Sequence, residues 1–168
     1  EILIVPDQSL RKKSLPFDKV TNKEIEISKK MMKVMKEAPG IGLAAPQLGI
    51  HKRIITINIE DLENKKKISY TLFNPEIVNY SKNKIIMEEG CLSVPKQFAE
   101  IERPENINIK YIDTKNRLVE KRIYGLESRV IQHEIDHLEG ILFIDFLSPL
   151  KRNIIIRRVK KLKKIGEI

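Results

Sequence analysis

Gln132-His133-Glu134-Ile135-Asp136-His137 is the stretch on which the reading of this chain turns. It has the form H-E-x-x-H. A helix advances about 100° per residue, so His133 and His137 share one face, roughly 6 Å apart. Two imidazoles at that spacing can converge on one metal ion, and Glu134, on nearly the same face, can reach a water beside it. The bland alternative is a buried helix with two incidental histidines. Against it, two of the three histidines of the chain are here. The flanks also read as helix. Gly125 breaks the chain, Leu126, Val130, Ile131, Ile135 and Leu138 form an apolar stripe, and Gly140 supplies a stop.

A catalytic metal usually keeps three protein ligands and one open position. The extension of this motif that brings a third histidine meets Phe143 here. The third ligand must come from elsewhere: His51, the single cysteine Cys91, or a carboxylate. His51 stands just before a strand, beside Lys52 and Arg53, and reads as a surface residue. Cys91 lies in Glu89-Gly90-Cys91-Leu92-Ser93, after a glycine at a strand end, where its side chain can face a cleft. It can be read as a small buried hydrophobe, as a nucleophile working with a histidine, or as a ligand. The nucleophile reading accounts for neither the paired histidines nor Glu134. The ligand reading uses all four residues.

At 168 residues the chain suits one domain, 1–168, with room for a proper core. It has no Trp and few aromatics, so that core must be aliphatic. No apolar run approaches a membrane span. The opening Glu1-Ile2-Leu3-Ile4-Val5-Pro6-Asp7 lacks a basic n-region and a small-residue cleavage site, so it does not read as a signal peptide. It also lacks an initiator Met, which leaves an upstream targeting segment open. One cysteine excludes an internal disulfide and fits a reducing compartment. The net charge of +9 is uneven: eight of the 32 Lys and Arg fall between Lys151 and Ile168, against one Glu. The body is nearly neutral and the tail is the cation, so an anionic partner would meet the tail first.

Taken in order, Pro6-Asp7 opens a short turn or helical piece to about Lys13, and Leu15-Pro16-Phe17 is extended. Thr21 and Glu24 form a capping box for a helix from about Asn22 to Glu37. Its apolar face is Ile25, Ile27, Met31, Met32, Val34 and Met35. Gly40-Ile41-Gly42-Leu43-Ala44-Ala45-Pro46-Gln47 is dominated by small residues, which let another backbone approach. A tight packed turn is the rival reading, and no dinucleotide fingerprint is present. Strands are expected at 54–59, 70–73, 76–80 and 84–87, with a charged hairpin tip at 62–67 and a break at Asn74-Pro75. Further strands are expected at 98–102, 107–111 and 118–124, with a turn at 113–116. Leu142 to Leu147 reads as apolar and extended, and a last helix begins after Pro149. Strands without regular helix alternation predict an α+β fold. Its antiparallel β-sheets would pack around a central metal-binding helix carrying HExxH, with a basic C-terminal helix over 151–168.

Gly40 to Gln47, Glu89 to Ser93 and Gln132 to His137 together resemble the three signature motifs of peptide deformylase, in the family's order and approximate spacing. The resemblance extends to Pro6-Asp7 with Leu10-Arg11 and to Leu147-Ser148-Pro149-Leu150-Lys151. It implies a hydrolase that removes the formyl group from the N-terminal formyl-methionine of newly made polypeptides. It implies Cys91, His133 and His137 as metal ligands with a water as the fourth. Fe2+ is the implied native ion, with Zn2+, Ni2+ or Co2+ able to occupy the site. The residues alone suggest a tetrahedral Cys/His2 site without choosing between zinc and iron. The implied chemistry is attack by a metal-bound hydroxide, since a metal lowers the pKa of bound water from about 15.7 to about 7. Glu134 would serve as general base and then acid. The resemblance assigns the Leu92 backbone N–H and the Gln47 amide to the developing oxyanion. Ile41, Gly42 and Gly90 would pair with an extended substrate. Ile41, Met87, Leu126, Val130 and the stem of Arg129 would line a methionine pocket. Glu89 pairing with Arg103 would brace the metal loop.

Three readings compete for the tail: a solvated helix, a contact with RNA phosphates near the ribosomal exit tunnel as the resemblance implies, and, least favoured, a membrane surface, since no aromatic anchors it. Neither a DNA partner nor a membrane is expected. The resemblance sets the protein in a bacterial cytoplasm, with an organelle as the other setting. Rival functions are a metallopeptidase with the same H-E-x-x-H chemistry and a metal- or RNA-binding module without turnover. Cys91 argues against the first. Glu134 and Gln47 argue against the second, because a closed structural site needs neither.

Overall fold

Among residues 1–63 and 65–168, which the computed structural model describes, the apolar pattern settles into two antiparallel sheets and three α-helices. In chain order the elements are α1 (Asn22–Glu37), β1 (Gly42–Ala44), β2 (Ile54–Asp61), β3 (Lys66–Tyr80), β4 (Lys84–Cys91), β5 (Val94–Pro104), β6 (Asn106–Ile112), β7 (Leu118–Tyr124), α2 (Gly125–Leu138) and α3 (Pro149–Lys164). The larger sheet runs β1-β2-β3-β6-β7, and β4 pairs with β5 alone. The expected α+β architecture with antiparallel sheets and a C-terminal helix is the one observed.

Period-two alternation aims the sheet at α2. In β6, Ile107, Ile109 and Tyr111 are buried, and the residues between them are only half-buried. Together with Ile55, Ile57, Ile59, Leu72 and Ile123 they pack on Val130, Ile131, Ile135 and Leu138 of α2. Each such aliphatic side chain contributes roughly 1.5–3 kcal/mol on burial, so the helix carrying both histidines is fixed by its other face. Met31 and Met35 seat α1 against Leu43, Ile54 and Phe73. The third cluster joins Val5 and Leu10 to Val94 and Ile101 of β5 and to Ile155 and Val159 of α3.

Local signals set the helix ends. The Thr21 N–H donates to Glu24 Oε2 at 2.9 Å, the capping-box bond expected at the start of α1. Beyond α2, Gly140 has φ +73°, and a side chain there would collide with the Arg11 backbone.

Three expectations need correction. Residues 70–73 and 76–80 belong to one strand, β3. Asn74 and Pro75 form a bulge in it, not a break, because Asn74 takes φ +48° and its side chain bonds the Phe17 backbone in both directions. Leu142 to Leu147 is not extended: Phe143–Phe146 is a 3-10 turn, whose Asp145 accepts from the Leu142 N–H and pairs with Arg11. His51 is half-buried, with Nε2 2.9 Å from the Ser9 carbonyl oxygen. The charged tip at 62–67 includes Asn64, which lies outside the described residues. No helix among the described residues is long and apolar enough to cross a membrane.

Candidate metal centre

Cys91 ends β4, just past a register shift between Gly90 and Cys91. His133 and His137 project from the buried face of α2, 8% and 1% exposed. The two elements meet there. Cys91 Sγ stands 3.2 Å from His137 Nε2, and one ligand atom from each of Cys91, His133 and His137 lies within 4.8 Å of the others. Metal–sulfur bonds of about 2.3 Å and metal–nitrogen bonds of about 2.0–2.1 Å in a tetrahedron put sulfur and nitrogen about 3.6 Å apart. The donor set and its spacing therefore fit one divalent transition ion. His51 lies elsewhere, against Ser9.

The protonation pattern suits ligation. His133 Nδ1 is 2.9 Å from Glu89 Oε1, which turns Nε2 toward the sulfur. Burial alone would push His133 down, but Cys91 and Glu89 outweigh it and hold the imidazole well above its usual value. Burial, with His133 beside it, pushes His137 well below, so its ring is neutral. An arriving cation would displace the proton on His133. The His137 Nδ1 has no hydrogen-bond partner among the described residues.

Glu89 is the hub of this support. Its Oε2 accepts from Arg103 Nε at 2.6 Å and from Arg129 Nη1 at 2.5 Å, and its Oε1 from Arg103 Nη2 at 3.0 Å. Burial would raise its carboxyl, but His133 and Arg103 prevail and hold it at about 2. The bracing expected between Glu89 and Arg103 is present, and Arg103 also reaches Asp136 of α2 at 2.8 Å.

Glu134 is 4% exposed, and its Oε2 has no hydrogen-bond partner among the described residues. Burial, against the opposing pull of His133, raises its carboxyl to about 7. That is the environment of a proton carrier working near neutrality. Gly42 makes the room: a Cβ there would stand 2.6 Å from Glu134 Oε1 and 2.8 Å from Val130 Cγ1. Gln47 is equally fixed. Its Oε1 accepts from the Ala44 N–H at 2.9 Å, so Nε2 faces Ser93 Oγ at 3.0 Å and Cys91 Sγ at 3.7 Å.

A cavity of about 450 Å³ opens over these groups. Ile41, Gly42 and Gln47 line one side, Gly90, Cys91 and Leu92 another, and Leu126, Arg129, Val130, His133 and Glu134 the helix side. Met87 is not among the lining residues; Glu88, next to it, is.

The family model described as Polypeptide deformylase matches residues 1–153. This chain belongs to that family. Its members are metal-dependent hydrolases that remove N-terminal formyl groups. The peptide deformylase of Rhodopseudomonas palustris strain TIE-1 is 46% identical over 167 residues, covering 99% of this chain and 95% of the relative. The crystal structure of peptide deformylase from Ehrlichia chaffeensis superposes with a TM-score of 0.94 at 38% identity, over 99% of this chain and 98% of that one. The Met-Ala-Ser-bound class I type b peptide deformylase of Acinetobacter baumannii has a TM-score of 0.82 at 31% identity, over 88% of this chain and 97% of that one.

Two features of this deformylase-family site escaped the sequence reading. Phe98, 63% exposed, lines the cavity mouth and lies over Gly90, where a Cβ would stand 2.6 Å from the Phe98 ring. Its signal was an aromatic residue on the outer face of a strand, three residues after Pro95. Arg129 was assigned only an aliphatic stem, yet its guanidinium is buried against Glu89. An arginine one helical turn before His133 was the available cue.

Proposed function

We propose that this chain removes the formyl group from the N-terminal formyl-methionine of newly made polypeptides, using one divalent ion per chain held by Cys91, His133 and His137. The observation that carries the reading is the meeting of the β4 sulfur with both α2 imidazoles beside the buried Glu134 carboxyl, whose Oε2 has no hydrogen-bond partner among the described residues. When bound, the ion supplies Lewis acidity toward a water and the formyl oxygen. Fe2+ is the native ion that the family resemblance implies, and the same donors accept Zn2+, Ni2+ or Co2+.

The rest is the work of the chain. Glu134, raised to about 7, takes a proton from the attacking water and passes it to the leaving amine. The Gln47 amide, locked by the Ala44 N–H, offers a donor on the sulfur side of the cavity, and the Leu92 N–H offers another to the formyl oxygen as charge develops. Both donors stay uncharged at any working pH. β1 is the edge of its sheet, and Gly42 lines the cavity, so an extended substrate can add alongside Ile41-Gly42 and opposite Gly90. Backbone pairing reads no sequence, which suits substrates that differ after the first residue. Ile41, Leu126, Val130 and the stem of Arg129 form the apolar wall for the methionine side chain. The bound Met-Ala-Ser of the Acinetobacter baumannii relative supports a site for peptides that begin with methionine.

The chain works as one domain in a bacterial cytoplasm on this reading. Its basic helix α3 buries Ile155 and Val159 and exposes Lys151, Arg157, Arg158, Lys160 and Lys161, a face suited to ribosomal RNA phosphates. Anaerobic purification with metal analysis and a formate assay on formyl-Met-Ala-Ser tests the main claim. Formate release that chelation abolishes and Fe2+ restores is expected, without cleavage of internal peptide bonds. A metal-loaded protein that releases no formate, or that prefers internal bonds, overturns it.

A further inference from the structure

Arg129, His133 and His137 follow at intervals of four on α2, so their side chains leave one face a turn apart. The Arg129 side chain is 5% exposed. Its Nη1 donates to Glu89 Oε2 at 2.5 Å and to the Ile101 carbonyl at 2.9 Å, and its Nη2 donates to the Ile85 carbonyl at 2.7 Å. Ile85 belongs to β4 and Ile101 to β5. One guanidinium therefore grips both strands of the pair that carries Cys91, from the helix that carries both histidines. The β4–β5 pair shares no strand ladder with the larger sheet among the described residues. Contacts across this gap therefore decide how far the sulfur sits from the imidazoles.

We infer that Arg129 is a positioning residue that sets the separation between the Cys91 sulfur and the His133 and His137 imidazoles, and with it the hold on the metal ion. The inference rests on the proposed metal centre. A guanidinium suits the task because its planar fork keeps its charge when buried and addresses three acceptors in fixed directions. Lysine offers charge without the fork. Arg103 crosses the same gap from the other side, from β5 to Asp136, so one tie across the junction remains when Arg129 is changed.

The test uses Co2+ as the probe on the full chain, comparing wild type, Arg129→Lys and Arg129→Met. Affinity is read by competition with a chelator, and the thiolate-to-Co2+ absorption of the loaded protein reports the sulfur. Loss of a group that orients metal ligands typically weakens affinity about 10–100-fold. We expect a loss of that size in Arg129→Met, with a weakened or shifted thiolate band, and a smaller loss in Arg129→Lys. A purely structural role would lower the melting temperature and leave affinity and band unchanged in the folded variants; that result overturns the inference. Should Arg129→Met fail to fold, Arg129→Lys decides by the same two readouts. Wild-type protein that takes up no Co2+ overturns the metal centre itself, which is a different failure from a wild type and variants that bind alike.

Discussion

The Glu89 carboxylate lies 2.9 Å from His133 Nδ1, and the same two oxygens receive three bonds from the buried guanidinium groups of Arg103 and Arg129. One carboxylate thus orients the imidazole proposed as a metal ligand and pairs with two buried guanidinium groups, one of which also meets Asp136. Glu89→Gln keeps the shape and removes the charge. Leaving buried charges without their partner costs about 3–5 kcal/mol. For a chain of this size each kcal/mol is about 2–4 °C, so the melting temperature should fall by about 6 °C or more. Metal affinity should drop about 10–100-fold. Calorimetry of the metal-free protein and chelator competition on the loaded protein measure the two effects separately. A variant with unchanged affinity would detach Glu89 from the metal.

Gly42 is the floor on which the Glu134 carboxylate rests. A methyl group there meets Glu134 Oε1 at 2.6 Å and Val130 Cγ1 at 2.8 Å, so one of them must move. Val130 is held by the core, and the carboxylate is the freer group. Misplacing a reacting group by about 1 Å costs about 100-fold in rate. Gly42→Ala should therefore lower kcat by about that factor while metal content stays at the wild-type level. Metal analysis beside formate-release kinetics checks it, and a fall in metal content would place the damage at the ligands instead.

The helices were legible from the sequence because their signals are local. Thr21 and Glu24 cap α1 from three residues apart, and the four-residue spacing of His133 and His137 is a property of α2 alone. The pairing of Cys91 with those histidines rested on the ligand reading that uses all four residues and on the family resemblance, since nothing local brings a strand end to a helix 42 residues later. What failed was tertiary. Asn74 looked like a breaker, but its side chain binds the Phe17 backbone, 57 residues away, and carries the strand through a bulge. Asp145 curls residues 143–146 into a turn while pairing with Arg11, 134 residues away. The Arg129 guanidinium has no readable role until β4 and β5 are docked on α2.

Glu24 gives a stability prediction with a definite sign. Burial would raise its carboxyl, but Lys52 Nζ at 2.5 Å and the Thr21 hydroxyl and amide outweigh burial and hold it at about 2, against 4.5 for a free Glu. A group depressed on folding contributes stability above its unfolded value, and that contribution is lost as pH falls toward its folded value. Urea unfolding of wild type and Glu24→Gln should show wild type more stable above about pH 4.5, with the gap closing between there and about pH 2. A gap independent of pH would assign the effect to helix capping alone.

Gln47 can be tested by a near-isosteric change. Its Oε1 is committed to the Ala44 N–H, so Gln47→Glu keeps that acceptor and replaces the Nε2 donor facing Cys91 with an oxygen. Removing one such donor costs about 100- to 1,000-fold in kcat. The loss should appear in kcat rather than KM, because the donor acts on charge that develops only in the transition state. A loss confined to KM would make Gln47 a substrate contact.

Glu134 carries the strongest demand. Burial brings its carboxyl to about 7, and a divalent ion beside it lowers that value, so a proton acceptor is available in the loaded protein at neutral pH. The sign follows: the rate should rise with pH along an acid limb of kcat/KM that lies below about 7, because the base must be deprotonated. Glu134→Gln fills the same space beside Gly42 and cannot take the proton. General acid–base catalysis is worth about 100- to 10,000-fold, and the variant should lose at least that while holding a full complement of metal. Its Oε2 has no hydrogen-bond partner among the described residues, so the amide leaves no former partner stranded and the fold should stand. Turnover within tenfold of wild type in metal-loaded Glu134→Gln would move the proton transfer to another group.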